Sequence, residues 1–306
     1  LFISQTITMG AIIATVILSG RAIAPLAKVG QTLGRANTAL QARKNLISFL
    51  STELPEHKED TAALASSSNA IDIVNVSLKL SDLGRPFFNE LNLKVRKGEK
   101  LAIVGRSGSG KSTLLKLCLG LLTPETGAVL INGKDVREYK RAGLFRTLGT
   151  VFQDPWLFSG TLRENVGLGH DNCDDKKIKE CLVATGSIFG FDPDSIDLDF
   201  VISDQGKNLS GGQKQAVTLA RSMAFDPNIM LLDEPTSGMD VKTESIVIEG
   251  IKRHCAEKTM VIITHKIALV SLCQRVIVVE QGKIIWDGSI EKYFELIKTQ
   301  QKKNGQ

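Results

Sequence analysis

Residues 105–112 read Gly-Arg-Ser-Gly-Ser-Gly-Lys-Ser, which is the spacing G-x-x-x-x-G-K-[ST]. The pattern demands a buried strand before it and a helix after it, and both are legible. The apolar run Lys100–Val104 leads in, and Leu114–Leu119 comes after it with a helical pattern. Glycines at these places let backbone N–H groups turn inward around phosphate oxygens, and the helix N-terminus adds a positive dipole end. Gly105, Arg106, Ser107, Gly108, Ser109, Gly110, Lys111, Ser112 and Thr113 are therefore the candidate cradle for a triphosphate. Lys111 is placed to reach the β and γ phosphates, and Ser112 to bind Mg²⁺.

Such a cradle needs an acidic group to hold the metal and another to act on water. Asn228–Leu232 is a second buried-strand run, and it ends at Asp233-Glu234-Pro235. A carboxylate at the end of a strand beside the cradle strand is where a Mg²⁺-binding Asp belongs, so Asp233 takes that role. Glu234, one residue further toward the γ phosphate, is the candidate to polarise the attacking water.

Length and composition bound the rest. At 306 residues the chain is long enough for about two domains. With 42% hydrophobic and 23% charged residues it is neither disordered nor collagenous. The formal charge, 38 − 33 = +5, is spread along the chain without a Lys/Arg run, which speaks against a nucleic-acid partner. The five cysteines include no C-x-x-C pair and suit reduced, mostly buried thiols. Trp156 and Trp286 read as packing residues.

The first charged residue is Arg21, and the twenty residues before it are long enough to span roughly 30 Å as a helix. Ser4, Gln5, Thr6, Thr8 and Thr15 interrupt the apolar run, so the helix is expected to pack on sister helices or line a cavity. Beyond Arg21, an amphipathic pattern through Leu50 reads as the same helix continuing into the cytoplasm. Without an initiator Met, the chain reads as the C-terminal part of a longer polypeptide, beginning within its last membrane helix. The expected domains are 1–54, the end of a membrane domain; 55–69, a polar linker; 70–300, an α/β domain; and 301–306, a polar tail.

Between the cradle and the acidic pair lies Leu209-Ser210-Gly211-Gly212-Gln213, with a helical run after it. Ser210, Gly211 and Gly212 are read as opening a helix at Gln213, which makes a second anion-binding N-terminus. This segment resembles the signature motif of ATP-binding cassette proteins. Gln153 is similar to that family's Q-loop glutamine, Ser237–Asp240 to its D-loop, and His265 to its switch histidine. The resemblance covers residues 70 to 297. It implies a P-loop NTPase fold, with a RecA-like α/β core, an antiparallel β subdomain and an α-helical subdomain around residues 155 to 225, preceded by a transmembrane helix. It also implies ATP and Mg²⁺ as ligands, with Ser112, Gln153 and Asp233 on the metal. Glu234, His265 and Gln153 would act catalytically, and Ser210, Gly211, Gly212, Gln213 and Asp240 would meet the nucleotide from a second copy.

Residues 7 to 30 and the stretch Phe158–Asn165 are similar to type I secretion permease/ATPases. This resemblance implies a homodimer in the bacterial inner membrane, with a cytoplasmic ATPase domain, its own membrane domain, a periplasmic adaptor, an outer-membrane channel and an exported polypeptide. A lipid, drug or peptide exporter is the alternative, and a soluble ATPase without transport is less favoured. Three departures stand out: Leu80 where an adenine-stacking aromatic is usual, Ser203–Gly206 before the signature, and Gly238 in the D-loop. Leu80 predicts modest discrimination between ATP and GTP, unless Phe87 or Phe88, across a turn at Gly84, supplies the ring.

Overall fold

The computed structural model describes residues 8–50, 67–79, 87–168, 173–186 and 192–304. The chain divides into two units, Leu1–Glu56 and His57–Gln306. In the first, α1 (Met9–Leu50) is a single helix of 42 residues, about 63 Å long at 1.5 Å per residue. It is long and apolar enough to cross a membrane by length and composition. Its Ile13, Val16, Ile17 and Leu18 side chains are all exposed. Thr15 fits in that surface because its hydroxyl donates to the Ala11 carbonyl at 2.7 Å.

The second unit opens with β1 (Asn69–Leu78), β2 (Phe88–Arg96), β3 (Lys100–Val104) and α2 (Lys111–Cys118). Next come β4 (Thr126–Ile131), β5 (Lys134–Asp135), α3 (Arg141–Thr147), β6 (Leu148–Val151) and β7 (Gly160–Thr161). The middle holds α4 (Leu162–Gly167), α5 (Asp175–Ala184), β8 (Val201–Ile202) and α6 (Gly211–Ala224). The chain then runs through β9 (Ile229–Asp233), α7 (Val241–His254), β10 (Thr259–Ile263), α8 (Ile267–Val270), β11 (Arg275–Glu280), β12 (Lys283–Ser289) and α9 (Ile290–Asn304).

These strands make a six-stranded sheet ordered β12-β11-β3-β10-β9-β6 and a four-stranded antiparallel sheet ordered β2-β1-β4-β5. In the larger sheet every pairing is parallel except β11 with β12. A parallel sheet is covered on both faces, so its strands are apolar throughout rather than alternating. The period of two still sorts the side chains. Ala102, Val104, Met230, Leu232, Met260 and Ile262 enter a core with α5, α6 and α7. Leu101, Ile103, Ile229, Leu231, Val261 and Ile263 enter another with α2 and the antiparallel sheet. The α/β core, the antiparallel sheet and the helical segment between β6 and β9 are the three parts expected from the sequence.

Element ends shift where capping decides them. The helix after the cradle starts at Lys111 rather than Leu114, with Gly110 as its N-cap. The helix expected to open at Gln213 opens at Gly211, because Ser210 and Gln213 form a capping box. Residues 301–304 continue α9 instead of forming a tail, since Lys and Gln sustain a helix and the first breaker is Gly305. The strand β1 begins at Asn69, inside the expected linker; residues 51–66 lie outside the described residues. Cys118, Cys181, Cys255 and Cys273 are buried free thiols and Cys173 is half-buried. Trp286 packs on Tyr293 at 5.7 Å between ring centroids, whereas Trp156 is 56% exposed, against its reading as a packing residue.

One half-buried cluster sets an acid response. Lys258 Nζ stands 2.5 Å from Asp226 Oδ1 and 2.7 Å from His254 Nε2. Burial first, and the Lys258 charge second, push His254 down to about 4. The unfolded chain binds that proton below pH ~6.5. Between these values the unfolded state holds more protons, so stability rises with pH there and is fully present above about 6.5. The thermal midpoint is expected to fall as pH drops from about 6.5 to 4, and to fall less in His254→Gln, as differential scanning fluorimetry will show.

Candidate active site

The cradle sits where β3 ends and α2 begins. Gly105 is obligatory there, since a Cβ would overlap the Val279 carbonyl oxygen of the neighbouring strand β11. Lys111 Nζ donates to the carbonyls of Gly105 and Arg106, each at 2.8 Å, which holds the ammonium inside the loop. Burial keeps Lys111 below the ordinary ammonium range, although Asp233 and Glu234 work in the opposite direction. Burial also raises Asp233 above the usual carboxylate range, against a hydrogen bond from Ser112. Each of these charges is thus partly desolvated and suited to a ligand carrying the opposite charge.

These groups line one cavity of about 630 Å³, with Gly105, Ser107, Gly108, Gly110, Lys111, Ser112, Thr113, Gln153, Asp233, Glu234 and His265 on its walls. Two expected cradle residues turn their side chains elsewhere. Ser109 is buried with its hydroxyl unpartnered beneath the loop, and Arg106 lines a neighbouring apolar cavity with Val104, Ile267 and Trp286. Their part in the loop is played by the backbone. Of the two rings expected from sequence, Phe88 belongs to the core and Phe87 to the cavity; Leu80 and Gly84 lie outside the described residues. For a metal the lining includes the Asp233 carboxylate, the Ser112 hydroxyl and the Gln153 amide oxygen. That hard, sparse oxygen set suits Mg²⁺, which keeps positions for phosphate and water. Among the described residues no three His, Cys, Asp or Glu side chains cluster to hold a metal without such help.

Glu234 comes directly after β9 and is only 15% exposed at its side chain. Its Oε1 lies 2.8 Å from His265 Nδ1, and its Oε2 accepts from the Thr264 hydroxyl at 3.3 Å. The backbone is unusual: φ is 47° at a residue that is not glycine. Three bonds hold it there. The Glu234 N–H donates to the Ile263 carbonyl at 2.9 Å, and its own carbonyl accepts from Ser237 N at 3.0 Å and Gln215 Nε2 at 3.2 Å. Sequence reading missed Gln215, a buried amide on α6 that also donates to the Phe152 carbonyl beside Gln153, at 3.5 Å. The single signal was a polar residue on the apolar face of a helix. Gln215→Met keeps the volume and removes the donor. It is expected to lower turnover about tenfold and the thermal midpoint by about 2–4 °C, with ATP affinity unchanged in a filter-binding assay.

The signature segment lies apart from this cavity. Ser210 accepts from Gln213 N at 3.3 Å, and Gln213 Oε1 accepts from Ser210 N at 2.6 Å. Ser210, Gly212 and Gln213 share a small pocket with Gly238, Met239 and Asp240, and none of them lines the cavity of Lys111 and Glu234. Asp240, expected at the nucleotide, caps α7 within its own chain, accepting from Lys242 N and Thr243 N at 3.0 Å each. The four acceptor sites of a carboxylate leave it spare capacity, but its position is set by that cap. The N-termini of α2 and α6 thus open into separate pockets of one chain.

Comparison with known proteins agrees with this geometry. A family model described as ABC transporter matches residues 88–237, from β2 through the cradle, the Ser210 segment and Glu234. Over 297 residues the chain is 32% identical to a leukotoxin translocation ATP-binding protein of a Pasteurella haemolytica-like species, covering 97% of this chain. It is 31% identical to the proteins of the same description in Mannheimia glucosida and Bibersteinia trehalosi. The chain spans 41% of the length of these relatives. Among solved structures, a bacterial Atm1-family ABC exporter with ATP bound superposes with a TM-score of 0.72 at 26% identity, over 90% of this chain and 48% of that one. The match spans the cradle, Asp233, Glu234 and the Ser210 segment alike, and the chain belongs to the ABC transporter family as a carrier of its ATP-hydrolysing domain.

Proposed function

We propose that this chain is the engine of a homodimeric type I secretion exporter, which hydrolyses ATP to move a polypeptide out across the bacterial inner membrane. The observation that carries the hydrolytic part is the Glu234 carboxylate, held by His265 and Thr264 at the edge of the cradle cavity. In this reading Lys111, with the α2 N-terminus, binds the β and γ phosphates. Ser112, Gln153 and Asp233 would hold Mg²⁺, which when bound would neutralise charge on the phosphates. Glu234 takes a proton from the attacking water, and His265 orients that carboxylate through Oε1. Ser210, Gly211, Gly212 and Gln213 cap the triphosphate from a second copy, because each helix N-terminus covers one side only. Asp240 acts through its cap on α7 and reaches the nucleotide from that second copy.

The polypeptide cargo is supported by the relatives' description as leukotoxin translocation proteins and by an alignment that extends through α1. The membrane domain, a periplasmic adaptor and an outer-membrane channel would be its partners, with the ATPase domain in the cytoplasm. A lipid, drug or peptide exporter is the competing reading. The test is a Glu234→Gln allele in the native cell. Loss of one large polypeptide from the medium supports export of protein. An unchanged set of secreted proteins, with altered lipid or drug efflux, contradicts it.

A further inference from the structure

Two short segments leave the paired strands β9 and β10 at the edge of the cavity, Glu234-Pro235-Thr236 and Thr264-His265-Lys266. They are tied to each other at both ends. At the near end the buried Thr264 hydroxyl donates to Glu234 Oε2 at 3.3 Å and accepts from the Lys266 N–H at 3.1 Å. At the far end Lys266 Nζ donates to the Thr236 carbonyl at 3.0 Å. The same ammonium stands 2.8 Å from Oε1 of Glu244, in the first turn of α7. That oxygen also accepts from the buried Thr236 hydroxyl at 2.9 Å.

His265 lies between the two ties and does little to fix itself. Its side chain is 81% exposed, and among the described residues its one side-chain hydrogen-bond partner is Glu234 Oε1. Such a ring keeps its direction only if the backbone on either side is held. Lys266 supplies that hold against its own local preference. It is the N-cap of α8, a place that favours Ser, Thr, Asp or Asn, and its side chain makes no cap. A positive charge is unfavourable at that end of a helix, whereas Glu244 is well placed at the start of α7. A residue that breaks a local rule and finds its partner on a distant element marks a functional position.

We propose that Lys266 and Glu244 are a positioning pair, which holds the segment after β10 so that His265 meets Glu234. Neither residue lines the cavity, so both act through His265 rather than on the nucleotide. The pair is mostly enclosed, and loss of one partner leaves the charge of the other poorly solvated. The segment then moves to relieve that charge, and the ring moves with it. The inference rests on the proposed part of His265 in hydrolysis.

The test is nitrogen NMR of the 306-residue chain in detergent, labelled with ¹⁵N-histidine, as wild type, Lys266→Met, Glu244→Met, the double variant and Lys266→Arg. A carboxylate only accepts, so Glu234 selects the His265 tautomer with its proton on Nδ1, and mildly alkaline buffer keeps the ring neutral. His265→Gln identifies the His265 signal among the four histidines. Wild type and Lys266→Arg are expected to show a protonated Nδ1, and the methionine variants an exchanging mixture of tautomers. Exchanging a whole ion pair for apolar side chains is tolerated in stability, so the double variant separates position from folding. In the methionine variants kcat for ATP hydrolysis should fall about tenfold, with KM for ATP within about twofold of wild type. A protonated Nδ1 retained in the double variant overturns the inference, as does a mixture already present in wild type. A mixture in Lys266→Arg also overturns it, making residue 266 a packing position. A displaced His265 signal with unchanged kcat leaves the pair in place and defeats the catalytic part given to His265.

Discussion

Replacing Glu234 with Gln is expected to lower ATP hydrolysis by roughly 10²-fold or more while ATP binding persists, the scale of a lost general base. The amide matches the carboxylate in size, so contacts of the Glu234 backbone with Ile263, Ser237 and Gln215 are retained. What disappears is the capacity to take a proton from water. Bound ATP then holds its two capping helices together, and the mutant should accumulate as an ATP-loaded dimer on size exclusion. Phosphate release and retention of labelled ATP, measured on the same sample, separate the two effects. Turnover near the wild-type rate would remove Glu234 from its role.

The second large effect is on binding. Lys111→Ala removes an ammonium that donates two 2.8 Å bonds to the Gly105 and Arg106 carbonyls and faces the phosphate-directed helix N-terminus. Hydrogen bonds to charged groups contribute about 1.5–3 kcal/mol each, so ATP affinity should fall about 10²-fold. Lys111→Arg should not restore it, because a planar guanidinium cannot enter a loop shaped around a single ammonium. Equilibrium dialysis with ATP checks both, and circular dichroism checks that the fold survives. Affinity within a few fold of wild type in Lys111→Ala would show that the loop amides alone hold the phosphates.

What could be read from the residues in order was local. The strands β3, β9 and β10 are short apolar runs because both faces of a parallel sheet are buried, and such runs stand out against polar flanks. The cradle, Asp233 and Glu234 are located by those runs directly. Harder to read was anything fixed by contacts distant in sequence. The left-handed backbone of Glu234 depends on the Ile263 carbonyl and the Gln215 amide, neither of which is near it in the chain. Asp240 looks like a free carboxylate until the start of α7 is known, when two backbone N–H groups claim it. Ser109 belongs to the cradle by spacing, yet the turn of the loop buries its hydroxyl. Phe87 gains its place only when β11 and β12 bring Gly282 beside it.

The proposed catalysis requires the Lys111 cavity and the Ser210 segment to form one site across two copies of the chain. Cysteines at Ser107 and Ser210, both exposed, report on it through a short bifunctional maleimide. The Glu234→Gln background prolongs the ATP state, and Cys173→Ser removes the half-buried thiol, the other four being buried. A shared site predicts a chain-to-chain crosslink with Mg²⁺ and ATP that is absent without nucleotide and absent when either cysteine is omitted. A crosslink formed only within single chains, or none at all with ATP bound, would contradict it.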